Sequence, residues 1–305
     1  MTKFYRLFVV AILTMGLPIS ATYAQTKQPK LTIVQGEAPA SSGLGMQNLV
    51  IEELRKGYDE INIISVSNCD KAAQVYNSIT DTPAVYIHTS EYQWLKEAGM
   101  HTCGVKMSHD NIWMNVEMAQ GFCTKGPGPV TFEDFKKSKT FGSIVPFSLT
   151  DTMVDQINRE LKTDIKKIPY NGGSGLALTG ILNGEIDYAP IALFRVLDMM
   201  EDKRVACFAK YGQSNDKLPS IRNFIPGFSL GDYVWNVAGA AKNMNAEQLK
   251  YLRDLHQASL KKGTVLRNSL DKGMWDVAQG DEKELWRRYK IQEDIFVSSL
   301  AAAKK

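Results

Sequence analysis

Long apolar runs, charge of one sign and catalytic signatures are what this chain has little of, and each shortage excludes something. The apolar run at residues 7–17 has 11 residues, whereas a membrane-spanning helix needs about 20, and no later segment is long and uncharged enough to span a bilayer. Lysine and arginine number 36 against 33 acidic residues, a balance that gives no warrant for nucleic-acid binding. The basic pairs Lys136 with Lys137 and Arg287 with Arg288 lie on helical patterns rich in Glu and Asp and read as solvated faces. His88, His101, His109, Cys103 and Cys123 lie near one another in sequence, yet none has C-x-x-C or H-E-x-x-H spacing, so neither a metal nor a cofactor is expected. There is no G-x-S-x-G elbow, no S-x-x-K with its partner motifs, no Walker loop and no dinucleotide fingerprint. No internal repeat or low-complexity segment is present.

The amino terminus is built differently. Lys3 and Arg6 precede the apolar run, and "ISATYAQ" follows it, with Thr22 and Ala24 satisfying a small-x-small rule. This is the pattern of a secretory signal peptide over residues 1–24, cleaved near Ala24, so a periplasmic protein starting at Gln25 is expected. Loss of Lys3 and Arg6 takes the formal charge from +3 to +1. No cysteine stands at the cleavage point to take a lipid anchor. About 281 residues then remain, more than a single core usually serves, which favours two domains. Four cysteines in an exported chain suggest disulfides, with three connectivities open. Cys103 and Cys123 are the pair nearest in sequence and the candidate bridge, worth roughly 3 kcal/mol on the entropic model.

Periodicity gives alternating strands and helices. "KLTIVQG" at 30–36 reads as a strand, 45–57 as a helix, "INIISVSN" and "DTPAVYIHTS" as strands with a helix at 70–78 between them. Two glycines and two prolines in "CTKGPGPVTFEDFKKSK" (123–139) interrupt this pattern before a helix that Thr131 and Asp134 can open as a capping box. A second β/α series follows to "RVACFAKYG". Residues 218–242 then read as an irregular return, and two helices finish the chain, the first opened by Asn245 and Gln248 and the second near Asp281. This is the grammar of sheets covered by helices. It predicts a first domain of 25–126 plus 236–305 with a second, 127–235, inserted into it.

Three strand-to-helix turns carry glycines and hydroxyls: "GEAPASSGLG" (36–45) with Ser41 and Ser42, "VPFSLTDT" (145–152) with Ser148 and Thr150, and "NGGSG" (171–175) with Gly172, Gly173 and Ser174. A helix start offers unpaired N–H groups and partial positive charge, so such a turn can seat a carboxylate or phosphate on the backbone. Each also reads as ordinary capping, with Ser148 and Asp151 spaced as a capping box. Turns of this build from two domains would converge beyond the carboxyl ends of the strands. His256 falls on the apolar face of its helix and reads as packed. Trp113, Trp235 and Trp275 read as core or domain-joint residues. Cys69, after a strand in "SVSNCDKA", could be a reactive thiol, although no base is identifiable.

The run "IPYNGGSGLALTGILNGEID" (168–187) resembles the motif of the solute receptors of tripartite tricarboxylate transporters, also called Bug receptors. Pro169, Tyr170, Gly172, Gly173, Leu178, Leu182, Gly184 and Asp187 fall on family positions, with Asn171 where Lys is usual. "GSIVPFSLTDTMVDQINREL" resembles the family's Ser-x-Gly-x-Gly-Ser segment in weaker form. "YVWNVAGAAK" and the helix after it follow a third family segment, matched at Trp235 but with Ala241, Asn243 and Asn245 replacing Pro, Gly and Pro. The resemblance spans roughly residues 131–300. The amino-terminal third departs from it, and Glu37 and Asp70 bring negative charge to loops that in the family hold a ligand carboxylate.

The resemblance implies a type II periplasmic binding-protein architecture, two β/α sandwich domains around a ligand cleft, in a monomer without catalysis that hands a carboxylate or amino acid to a membrane permease. The ligand contacts expected on this chain, read from its own turns and strand ends, are Ser41, Ser42, Asn68 and Ser90 from the first domain, and Ser148, Thr150, Gly172, Gly173, Ser174 and Asp187 from the second. Two other readings stay open: an enzyme on the same fold with Cys69 as nucleophile, and a sensory module that presents ligand to a membrane kinase.

Overall fold

The computed structural model describes residues 27–37, 39, 41–67, 69–90, 94, 105–128, 130–143, 148–171, 173–212, 218–272, 275–277 and 280–303. The expected signal peptide, Asn68, Cys103 and Gly172 lie outside these residues.

Parallel strands need crossovers, and the first half of the chain supplies them. β1 (Gln28–Gln35) pairs in parallel with β2 (Tyr58–Ser65) and β3 (Ala84–Thr89), with α1 (Ser42–Leu54) and α2 (Cys69–Ser78) as the connecting helices. β3 is buried at every position and β1 from Leu31 onward, as strands covered on both faces must be. β4 (Ile112–Met118), β10 (Trp235–Lys242) and β11 (Trp275–Val277) complete a six-stranded sheet in the order β11-β4-β10-β3-β1-β2. β10, which the sequence reading placed within an irregular return, is antiparallel to both β3 and β4.

The chain changes sheet at Ala119. β5 (Gln120–Lys125) pairs antiparallel with β8 (Ala189–Ala192) and β9 (Val205–Tyr211), so the glycine- and proline-rich run follows the change of sheet instead of marking it. β6 (Thr140–Ser143) and β7 (Lys166–Pro169) are parallel neighbours, and a parallel bridge from Phe141 to Tyr188 joins them to the start of β8. Around this second sheet lie α3 (Phe132–Lys136), α4 (Leu149–Leu161), α5 (Ser174–Asn183) and α6 (Leu193–Glu201). The chain returns at Trp235 and closes with α7 (Ala246–Ser259), α8 (Val265–Lys272) and α9 (Glu282–Ala303).

Local sequence explains the helix starts. Thr131 with Asp134 and Asn245 with Gln248 form complete capping boxes. Ser148 caps α4 by accepting the Asp151 amide, but the Asp151 carboxylate pairs with Lys167 at 3.1 Å instead of closing the box. Met153, Val154 and Ile157 of α4 are buried, as their spacing requires.

The cysteine pairing corrects the sequence reading. Cys123 bonds to Cys207, not to Cys103. The two are cross-strand partners in β5 and β9 with Cα atoms 4.0 Å apart, and strand pairing, unlike nearness in sequence, brings sulfur atoms within bonding reach. Cys69 is disulfide-bonded as well, which removes the free thiol that the enzyme reading requires.

α9 braces both sheets. It packs on β4 and α4; Arg159 of α4 donates to the Ala302 carbonyl at 2.6 Å, and Gln292 accepts the Val234 amide at 2.8 Å. Arg288 is not on a solvated face: it pairs with the buried carboxylate of Glu117, its Nε donating at 3.3 Å. Among the described residues no helix is long and apolar enough to cross a membrane, and no group of three or more His, Cys, Asp or Glu could hold a metal ion.

Candidate functional site

Because β1, β2 and β3 run in parallel, their carboxyl ends share one edge, from which α1 starts. β6, β7 and β8 likewise share an edge that launches α4, α5 and α6. Open α/β sheets bind ligands beyond such edges. Here the two edges meet. Ser42, in the first turn of α1, shares a hydrogen bond of 2.9 Å with Ser174, in the first turn of α5. A Cβ on Gly173 would stand 3.2 Å from the Cα of Ser41, and Gly173 has φ +95°, which an L side chain rarely adopts.

From the first sheet, Ser41 caps α1 by accepting the Leu44 amide at 3.0 Å. Glu37, in the turn after β1, is buried, and its Oε1 accepts the Thr89 amide at 2.9 Å and the Thr89 hydroxyl. Glu37 also borders Gly43 of α1, where a Cβ would meet its carboxylate at 3.1 Å and Trp235 at 3.0 Å. Ser90 is fully buried, and its amide and hydroxyl both donate to Asn236, the amide at 3.1 Å. Asn236 donates in turn to Asn115 at 2.6 Å. Ser90 is thus part of a buried polar chain and offers these donors to its own lobe.

From the second sheet, Ser148 and Thr150 are buried and share a hydrogen bond of 2.9 Å at the start of α4. The Tyr170 amide donates to the Ser143 carbonyl at 2.7 Å, which carries the pairing of β6 and β7 to their carboxyl ends. Sequence reasoning missed Arg195. It stands in the first turn of α6 and reaches across the junction, donating from Nε to the Ser42 hydroxyl at 2.8 Å and from Nη2 to the Ser41 carbonyl at 2.9 Å. Asp187 is placed elsewhere. Its carboxylate accepts the Lys139 and Thr140 amides at 2.7 and 2.9 Å, at the amino-terminal ends of β6 and β8, opposite the edge where the helices start.

No family model matches the sequence, and no curated protein does. Solved structures do match in fold. An R. palustris protein with adipate superposes with a TM-score of 0.72 at 16% identity, over 92% of this chain and 98% of the other. The periplasmic binding protein BugD gives 0.72 at 12% identity, over 90% of this chain and 98% of its own. MatC from Rhodopseudomonas palustris, with bound malate, gives 0.69 at 16% identity, over 89% and 98%. The chain has the fold of the periplasmic solute-binding proteins.

Two ionisable side chains, Glu37 and Arg195, stand at the junction in this solute-binding fold. Burial pushes the Glu37 carboxyl above its ordinary range, opposed by hydrogen bonds from Thr89 and Ser41. Burial likewise lowers the Arg195 guanidinium, which still stays charged at neutral pH. Arg195 therefore supplies the fixed positive charge that Asn171, standing where the resembled motif has lysine, does not. Its sequence context, "LFRVLDMMED", reads as an ordinary amphipathic helix. Arg195 reaches the opposite lobe because α6 follows directly on β8, at the edge from which α4 and α5 also start.

Proposed function

We propose that the mature chain is a periplasmic receptor that captures a small organic acid or amino acid between its two lobes and delivers it to a membrane permease of the tripartite tricarboxylate type. The observation that carries this reading is the meeting of helix starts from the two lobes at Ser42 and Ser174, bridged by Arg195. Solved proteins of this fold include ones holding adipate and malate, which supports an acid as one part of the solute.

Ser41, Ser42, Ser148, Thr150, Gly173 and Ser174 form the contact set, with Arg195 added and with Asn68 and Gly172 retained from the sequence. Closure by a hinge places the crossings at Ala119 and ahead of Trp235, and a closed, drier junction strengthens charge-assisted hydrogen bonds. Such a receptor works as a monomer, needs no catalysis and has no nucleic-acid partner. A sensory module presenting the solute to a membrane kinase would use the same junction.

A ligand that binds only the folded chain raises its stability, by about 2.7 kcal/mol at a hundred times its Kd. A thermal-shift screen of the mature protein against organic acids and amino acids is expected to find a solute that raises Tm. A panel in which no compound raises Tm would remove the receptor reading.

A further inference from the structure

We infer that the solute is zwitterionic, a small molecule of the amino-acid class whose cationic group is seated on Glu37 while its acid group meets the helix starts and Arg195. This rests on the receptor reading above and names the chemistry of its solute. Glu37 is only 6% exposed, and among the described residues no ion pair involves it. Its partners among the described residues are hydrogen-bond donors: the Thr89 amide and hydroxyl, and the Ser41 hydroxyl. Those donors fix the position of the carboxyl, but burial outweighs them and favours its neutral form, because a buried charge without a counter-charge is costly. A cation that arrives with the solute meets that need.

The location ties Glu37 to the site. The Ser41 hydroxyl donates to Glu37 on one side, and the Ser41 carbonyl accepts from Arg195 on the other. Acid and base thus flank the same residue at the start of α1, beside the Ser42 to Ser174 contact. A solute bearing only carboxylates brings no counter-charge to Glu37 and leaves the buried carboxyl without a cation to pair with. An α-amino acid instead offers one group to each side. The feature that departs from the resembled receptors, a carboxylate in the first loop, then has a positive role in selection.

The test is calorimetric titration of the mature protein with matched pairs: L-aspartate and succinate, L-glutamate and glutarate, L-leucine and 4-methylpentanoate, L-phenylalanine and 3-phenylpropanoate, extended to the other standard amino acids and their deaminated acids. The expected result is one amino acid binding about 100-fold more tightly than its deaminated partner, the scale of losing one side of a buried charge pair. Glu37→Gln, checked for an unchanged far-UV spectrum, is expected to bring the two members of that pair within about 10-fold of each other. Deaminated acids binding as tightly as their amino acids overturns this inference and leaves the receptor reading standing. No binding by any member overturns both. Should Glu37→Gln fail to fold, the ratio measured on the wild-type chain decides.

Discussion

At Gly173 two constraints coincide: φ +95°, and Ser41 of the opposite lobe 3.2 Å from where a Cβ would be. Gly173→Val adds backbone strain of about 1–3 kcal/mol and wedges the helix starts apart, so solute binding is expected to be lost while the far-UV spectrum is retained. Unchanged affinity would take this turn out of the site. Gly239 shows a packing version of the same logic, since a Cβ there would stand 2.2 Å from the indole nitrogen of buried Trp113. Gly239→Ala is expected to cost about 1–3 kcal/mol through overpacking, read as a lower urea midpoint. Arg195→Ala removes the cation of the junction, and affinity for the solute is expected to fall at least about 30-fold. Gly173 was legible in the sequence because glycine before a helix advertises its backbone. Arg195 was not, because nothing local distinguishes an arginine that crosses between lobes from one that faces water.

Among the elements, those with punctuation or periodicity were readable and those with neither were not. The starts of α3 and α7 follow from their capping boxes, α1, α2, α4 and α5 from helical spacing near glycines or hydroxyls, and α6 from helical spacing alone. β4, β5 and β10 went unread. β4 is buried throughout and β10 up to its last residue, so neither has the polar alternation that marks a strand with one wet face. Gly239 makes β10 look like a loop, although it exists to admit Trp113. The disulfide depends on the same unread pairing, because Cys123 meets Cys207 only once β5 lies beside β9. With a sequence separation of 84, the bridge is worth about 4–5 kcal/mol on the entropic model. The double variant Cys123→Ala with Cys207→Ala should lose stability on that scale in urea unfolding. A loss below about 1 kcal/mol would mean that sheet pairing alone restrains these strands.

For the whole molecule, the buried histidines set the acid limit. His88, in β3 and stacked on Tyr86, and His256, in α7 against Trp113, are both held down to about 4 by burial. Unfolding frees each to its ordinary value of 6.5, so the unfolded chain binds more protons and stability falls as pH drops from 6.5 toward 4. At pH 5 the loss is on the order of 2 kcal/mol for each histidine, measurable as a lower urea midpoint than at pH 7.5. Replacing His256 with Phe should flatten that slope. Glu37 has the opposite sign, since burial favours its protonated form and its cost grows as pH rises above the ordinary carboxylate range.

The fold places two sets of helix starts against each other and braces them with α9, an arrangement whose simplest use is to enclose a solute. The most direct measurement is native mass spectrometry of the mature protein purified without denaturation and then incubated with the amino-acid and organic-acid panel. A one-to-one adduct of a single small solute, absent in Gly173→Val, is the predicted result. A chain that keeps its bare mass with every compound, or an adduct that Gly173→Val retains in full, would contradict a solute site at the junction of the lobes.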